Sequence, residues 1–232
     1  LYPAQAQSAN PSRCWNWFKH NHQRRGSGEA AVIAGMTRSV VAEHHLDPCR
    51  VYVAGLSAGG AMAAILGRAY PDLYAAVGIH SGLASGAAND LISALSAMKH
   101  GPASPTSPPP VTQSGEPAAR DDGFSASIAP VPTLLFHGDG DAVVHPGNGT
   151  QAIAVAVGQT GTGAPSAASP VVEVGESTEG RRYTRTTHPG PAGAPAQAEH
   201  WLVHGGGHAW SGGREQGSYT DPSGPDATRE MW

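Results

Sequence analysis

A serine stands at the centre of a five-residue pattern that suits it to attack a carbonyl carbon. The pattern is G-x-S-x-G, in which Leu56 and Ala58 separate Ser57 from Gly55 and Gly59. On a sharp turn of this kind the serine hydroxyl stands clear of a sheet, and the next backbone N–H, that of Ala58, points to where an oxyanion would form. Since the positions two before and two after the serine crowd the turn, we expect both to need small residues.

The surrounding sequence predicts the strand, turn and helix in which this pattern has its chemical meaning. The apolar run 50–54 precedes the turn and is typical of a buried strand, and the helix-compatible run 60–70 follows it. In a glycine-rich chain the bare pattern can also be an ordinary loop. A second test of the nucleophile interpretation is whether an acid and then a histidine follow later in the chain, in the order that this fold uses.

Two aspartates follow the predicted strand 132–136 and are candidates for the acid. Asp139 and Asp141 come just beyond the carboxyl end of that strand, at the edge where open α/β sheets build their sites. We favour Asp141, because it is clear of the strand end and is followed by the apolar residues Val143 and Val144. The alternative is that either aspartate simply caps a turn.

A histidine beyond the last predicted strand, 198–204, completes the order serine, acid, base. His208 follows three glycines, which allow its loop to reach over a neighbouring strand end. His80, His137 and His145 also lie near strand ends. The order of the residues favours His208, which comes after the acid and at the end of a late strand. The sequence thus predicts Ser57 as nucleophile, Asp141 as acid and His208 as base.

The remaining periodic segments predict an α/β fold, with a mostly parallel sheet and helices on both of its faces. We expect helices at 29–45, 89–100 and 147–157, and strands at 75–80, 171–174 and 182–187. The stretches 101–122, 158–169 and 189–195 are rich in glycine, proline, serine and alanine and predict loops. Asp226 is a predicted N-cap of a last helix.

Composition excludes several classes of function. The 232 residues fit one domain, residues 1–232, with a net charge of −4. No basic cluster exceeds a pair of arginines, which argues against a nucleic-acid partner, and no apolar run approaches the ~18 residues of a membrane span. The histidines lack ligand spacing, so we expect no metal and no cofactor.

The two cysteines, Cys14 and Cys49, carry no predicted chemistry. Their spacing matches no zinc site, and neither has a histidine and an acid placed to activate it. We expect buried or bridged thiols, and a bond between the two remains open.

The chain resembles the polyhydroxybutyrate (PHB) depolymerase-type esterases of the α/β-hydrolase fold. The resemblance covers most of the chain and is carried by the segments 14–18, 50–60, 70–72, 80–82, 137–141 and 207–213. It implies a secreted serine hydrolase of carboxylic esters, without cofactor, whose nucleophile, acid and base fall on Ser57, Asp141 and His208. The implied substrates are small-molecule esters or polyesters, above all short-chain hydroxyalkanoate esters.

Other functions remain open on the same scaffold. A feruloyl or acetylxylan esterase, a serine peptidase or an acyltransferase would keep the same three residues. A hydrolase-fold binding protein without catalysis is an alternative from another class. Trp210, beside the predicted base, is expected either to line the acyl or alcohol pocket or to anchor the core.

One departure from the family concerns the oxyanion hole. The family has a His-Gly-Cys-type loop that supplies a second N–H, and nothing in residues 1–13 matches it. The chain also starts with what looks like the end of a strand and stops barely two turns after Asp226. We therefore expect a domain truncated at both ends, without its N-terminal strands and C-terminal helix, in which Ala58 supplies the one oxyanion N–H.

Overall fold

The computed structural model describes residues 1–102, 131–158, 169–190 and 194–232. The helices are α1 (Gly28–Glu43), α2 (Ala58–Ala69), α3 (Leu91–His100), α4 (Gly147–Gly158) and α5 (Ala227–Met231). The strands are β1 (Tyr52–Leu56), β2 (Ala76–His80), β3 (Thr133–Gly138), β4 (Val171–Glu176), β5 (Arg182–His188), β6 (Ala198–Val203), β7 (Trp210–Ser211) and β8 (Thr220–Asp221).

Six strands form one sheet in the order β1-β2-β3-β6-β5-β4. The first four run parallel, and β5 and β4 continue the sheet in antiparallel fashion. The register places Leu56 beside His80 and His80 beside Phe136, so that β1, β2 and β3 end close together. This confirms the predicted mostly parallel sheet, and it gathers the loops after four strands at one edge.

Helices cover both faces of the sheet, as predicted. Neighbouring strand residues point to opposite faces. Val77 faces α2, where a Cβ added to Gly67 would overlap its side chain, while Gly78 faces α5, where an added Cβ would lie 2.5 Å from Met231 Sδ. Small residues at these positions let the helices approach the strands closely.

The predicted element boundaries hold to within a few residues, with one informative shift. The strand that leads to Ser57 starts at Tyr52, two residues later than expected, because Pro48–Arg50 forms a 3₁₀ turn in which the Asp47 side chain accepts from the Cys49 N–H (2.9 Å). Cys49 is exposed in this turn, and Cys14 is exposed as well; neither forms a disulfide. The expectation of buried or bridged thiols is therefore wrong.

The structure tests the prediction for the last helix but not most of the predicted loops. The Asp226 side chain accepts from the Arg229 N–H (3.1 Å), which confirms the predicted N-cap of α5. The predicted loops 101–122 and 158–169 fall mostly outside the described residues, and so does part of 189–195. Within the described ranges, no helix combines the length and apolar character needed to cross a membrane.

Beside β1 lies a groove of about 730 Å³, bounded by α1 and α2 and lined largely by apolar side chains. In the described part of the chain β1 pairs with β2 on one side, and its other edge faces this groove. The groove reaches Gly55 and Gly59 of the serine turn.

Candidate functional site

Ser57 occupies the turn between β1 and α2 in a strained backbone conformation. Its φ of 58° and ψ of −120° lie outside the regions that residues with a side chain normally adopt. Its N–H donates to the carbonyl of His80 (2.9 Å), which ties the turn to the end of β2. Among the described residues neither the Ser57 hydroxyl nor the Ala58 N–H has a hydrogen-bond partner within the protein, which leaves both groups for a bound molecule.

The two glycines of the pattern are not equivalent. A Cβ on Gly55 would overlap the backbone of Gly59, so Gly55 is sterically required. A Cβ on Gly59 would meet nothing within 4 Å, because this position faces the groove. The expected need for a small residue is confirmed at Gly55, whereas Gly59 has room for a Cβ. The crowded position is Gly60, where a Cβ would lie 2.9 Å from the Gly55 carbonyl and 3.1 Å from that of His80.

This difference predicts opposite outcomes for two matched substitutions. Gly55→Ala should destabilise the protein by about 1–3 kcal/mol through overpacking and displace Ser57. Gly59→Ala should leave stability unchanged or raise it by up to about 1 kcal/mol, since alanine favours the first turn of α2. Urea unfolding of both variants measures this. Equal losses of stability would contradict the assignment.

Asp141 lies in the loop after β3 with its side chain fully buried. Its Oδ1 accepts from the N–H groups of Val143 and Val144 (both 2.9 Å), and its Oδ2 lies 2.8 Å from His208 Nδ1. Burial alone would raise the pKa of this carboxyl group, but hydrogen bonds from His137, His208 and the two N–H groups outweigh burial and hold the pKa far below its ordinary value. Asp141 is therefore a buried anion.

His137 is a second histidine in contact with the Asp141 carboxylate. Its Nε2 lies 2.9 Å from the Val144 carbonyl and 3.4 Å from Asp141 Oδ2, so Nε2 carries the proton. The imidazole is completely buried, and its Nδ1 lies against Gly149 of α4, with no hydrogen-bond partner in the described ranges. Sequence reasoning considered His137 only as an alternative base and missed this supporting role.

His208 reaches Asp141 because two loops pack backbone against backbone. Gly140 N–H donates to the carbonyl of Gly206 (3.0 Å), and a Cβ on Gly138 would overlap that same residue. His208 Nδ1 faces the anionic Asp141, so Nδ1 carries the proton and Nε2 keeps its lone pair. Its side chain is 11% exposed. The structure thus brings the predicted acid and base together.

Asp139, the alternative acid, forms a second histidine–aspartate pair. Its Oδ2 lies 2.8 Å from His204 Nδ1, and its Oδ1 accepts from the Gly205 N–H (2.6 Å). Unlike His208, His204 has its other nitrogen engaged, 2.9 Å from Thr184 Oγ1. Both side chains of this pair are more than a third exposed. Asp139 therefore fixes the start of the loop that carries His208.

His80 connects the serine turn to the loop that carries His208, and Trp210 of that loop stacks on it. His80 is buried at the end of β2, and its Nε2 accepts from the Ser211 N–H (2.9 Å). The Trp210 ring stacks on the His80 ring, with 5.2 Å between centroids, and its Nε1 donates to Thr228 Oγ1 (3.0 Å). Because its acceptor nitrogen is occupied, His80 is not available as a base.

The sheet order explains how these residues meet. Ser57, Asp141 and His208 follow β1, β3 and β6, and His80 is the last residue of β2; these four strands are successive neighbours in the sheet. The His208 loop crosses the end of β3, since Ser211 bonds to the end of β2. In the described ranges, no three histidine, cysteine, aspartate or glutamate side chains are grouped so as to hold a metal ion.

The sequence profile of the family described as esterase PHB depolymerase matches residues 1–176. The chain belongs to this family.

Two relatives illustrate the range of the family. The chain is 34% identical over 158 residues to poly(3-hydroxyalkanoate) depolymerase C of Paucimonas lemoignei, an alignment that covers 66% of this chain and 36% of that protein. It is 27% identical over 154 residues to probable acetylxylan esterase A of Neosartorya fischeri, covering 64% and 39%. The chain thus spans little more than a third of the length of these relatives.

The solved structure of an acetyl xylan esterase from Aspergillus awamori has the same fold. The TM-score is 0.62 at 20% sequence identity, over 84% of this chain and 68% of that one. The esterase fold is the α/β-hydrolase fold expected from the sequence.

Two histidines of this esterase-family chain, the buried His80 and the partly buried His200, predict how its stability depends on pH. Burial lowers the pKa of His80 to about 3 and that of His200, whose Nε2 is buried, to about 4, from 6.5 in each case. Between pH 6.5 and 4 the unfolded chain therefore binds up to two more protons than the folded one, so stability falls as the pH falls. Protonation of Asp141 acts in the same direction at still lower pH.

We expect the free energy of unfolding to decrease near pH 5 with a slope approaching about 2.7 kcal/mol per pH unit from these two groups. His200→Phe removes one of the two protons taken up, so it should reduce that slope by about 1.4 kcal/mol per pH unit. Urea unfolding at several pH values between 7 and 4.5 tests this. An unchanged slope in the variant would show that His200 is not buried in its neutral form.

Proposed function

We propose that the protein is a carboxylic ester hydrolase that works through an acyl-enzyme with Ser57, His208 and Asp141 as its triad. The observation that carries the proposal is the 2.8 Å contact between His208 Nδ1 and buried Asp141. This contact leaves the Nε2 lone pair of His208 as a base, on the sheet edge where the strained Ser57 turn presents a hydroxyl without a partner in the described structure.

In the first half-reaction the Ser57 oxygen attacks the ester carbonyl carbon, and His208 Nε2 takes its proton. Asp141 keeps the imidazole in the required tautomer and stabilises the imidazolium by charge. The tetrahedral intermediate then collapses, the carbonyl–alkoxy bond breaks, and the leaving alcohol receives the proton from His208. The product is an acyl-Ser57 ester.

In the second half-reaction water replaces the alcohol. His208 Nε2 takes a proton from the water as its oxygen bonds to the acyl carbon, and returns the proton to Ser57 when the acyl bond breaks. The carboxylic acid leaves and the free enzyme is restored.

The Ala58 N–H is the proposed oxyanion donor within this chain. It is the first N–H of α2, where backbone N–H groups lack helical acceptors and carry partial positive charge. The family resemblance implies a second donor beside it. Loss of one such donor typically costs ~10²–10³ in rate.

We propose short-chain hydroxyalkanoate esters, as small molecules or polyesters, as the substrate class, and action outside the cell. Support comes from family membership and from the printed name of the Paucimonas relative, a poly(3-hydroxyalkanoate) depolymerase. Trp210 is proposed as one wall of the ester pocket, since it lies beside the His208 loop. The alternative substrate is an acetylated or feruloylated sugar, supported in part by the relative named as a probable acetylxylan esterase.

The nucleophile is tested by Ser57→Ala. The variant should lose p-nitrophenyl butyrate hydrolysis and also fail to react with a fluorophosphonate probe, because both need the same hydroxyl. Hydrolysis by Ser57→Ala near the wild-type rate would contradict the proposal. A wild-type protein that neither reacts with the probe nor hydrolyses any ester would instead favour the non-catalytic binding protein.

The two aspartates provide a matched test of the acid. Asp141→Asn should lower kcat by up to ~10⁴-fold, because the amide cannot hold His208 in the required tautomer or stabilise its positive charge. Asp139→Asn alters the exposed pair with His204 and should cost less than about tenfold. Steady-state kinetics on p-nitrophenyl butyrate compare the two; a larger loss for Asp139→Asn would reverse the assignment.

A further inference from the structure

His80 is a buried residue that contacts the serine turn through its backbone and the His208 loop through its ring, without taking part in the proposed chemistry. It is the last residue of β2, the strand between the one that leads into Ser57 and the one that leads to Asp141. Only 1% of its surface is exposed. A polar ring buried this deeply costs free energy unless its nitrogens are satisfied, so its partners indicate what it does.

The backbone of His80 supports the nucleophile turn. Its carbonyl accepts the Ser57 N–H (2.9 Å), and a Cβ on Gly60 would lie only 3.1 Å from the same oxygen. The serine turn therefore rests directly on this peptide group. Side-chain substitution leaves the carbonyl in place, so this contact and the ring contacts can be tested separately.

The ring of His80 supports the base loop. Nε2 accepts the Ser211 N–H (2.9 Å), three residues after His208. The ring stacks on Trp210 at 5.2 Å and on Phe136 at 5.8 Å. The loop segment 208–211 is thus held at one end by Asp141 and at the other by His80.

His80 must be neutral to accept this bond. Its Nδ1 then carries the proton and lies 3.3 Å from Ser81 Oγ. Burial first, and then the nearby His137 and His208, lower the pKa of His80 to about 3, while Asp141 acts in the opposite direction. At neutral pH the ring keeps its acceptor lone pair and places no positive charge next to His208, which gains one during the reaction.

We propose that His80 is a positioning residue: its imidazole Nε2, by holding the Ser211 N–H, keeps the His208 loop aligned with the Ser57 turn. This inference rests on the proposed function, because the alignment matters only if Ser57 and His208 exchange a proton. A small displacement of His208 would slow proton transfer and leave ester binding unchanged.

Three substitutions distinguish the effect of the Nε2 acceptor of His80 from the effect of its stacking ring. His80→Gln can place an oxygen where Nε2 lies and should keep kcat within about fivefold of wild type. His80→Phe keeps the stacking surface but leaves the Ser211 N–H without an acceptor, and should lower kcat by about 10–100-fold with KM within twofold. His200→Phe makes the same change at a partly buried strand histidine whose buried Nε2 has no partner in the described residues, and should leave kcat unchanged.

Kinetics on p-nitrophenyl butyrate, with circular dichroism to confirm folding, give the readout. Wild-type kcat in His80→Phe, or equal losses in His80→Gln and His80→Phe, would overturn the inference. If His80→Phe does not fold, His80→Asn replaces it, because the shorter amide does not reach the Nε2 position; equal kcat values for His80→Asn and His80→Gln would then overturn it.

The Ser57→Ala variant, measured in the same series, keeps the two proposals apart. If it retains turnover, the proposed nucleophile is wrong whatever the His80 variants show. If it is inactive while His80→Phe turns over at the wild-type rate, only the role of His80 fails.

Discussion

The buried negative charge of Asp141 is the constraint on which the site depends. A carboxylate with no exposed surface is stable only when several donors surround it, because its lost hydration must be replaced. Two donors are the N–H groups of Val143 and Val144, which fold the loop after β3 around the carboxylate. His137 and His208 supply the others, so the anion that organises its own loop also positions the proposed base on another loop.

Sheet geometry makes this arrangement possible. Parallel register ends β1, β2, β3 and β6 at one edge, and each strand delivers one component of the site there. The components are then linked by short polar contacts: Ser57 to the His80 carbonyl, the His80 ring to Ser211, and His208 to Asp141. The turn at Ser57 holds a positive φ, a strain of about 1–3 kcal/mol that such surroundings must sustain.

The sequence predicted the parts of the site that local patterns encode. The strand, turn and helix around Ser57 and the glycines before His208 have short-range signatures, so their positions along the chain could be predicted. The requirement for Gly55 but not Gly59 could not, because it depends on which backbone each faces. Nor could the role of His80 or the exposure of Cys49: both depend on contacts or turns that periodicity does not show.

The same contacts explain why only one of the two histidine–aspartate pairs is suited to chemistry. Asp139 and His204 have the same 2.8 Å separation as Asp141 and His208, so distance does not distinguish them. The two pairs differ in burial and in whether the second imidazole nitrogen is already engaged. The exposed pair is screened by water, and His204 Nε2 is engaged by Thr184. The buried pair interacts in a lower dielectric, where a carboxylate stabilises an imidazolium more strongly, and His208 keeps a lone pair directed away from its acid.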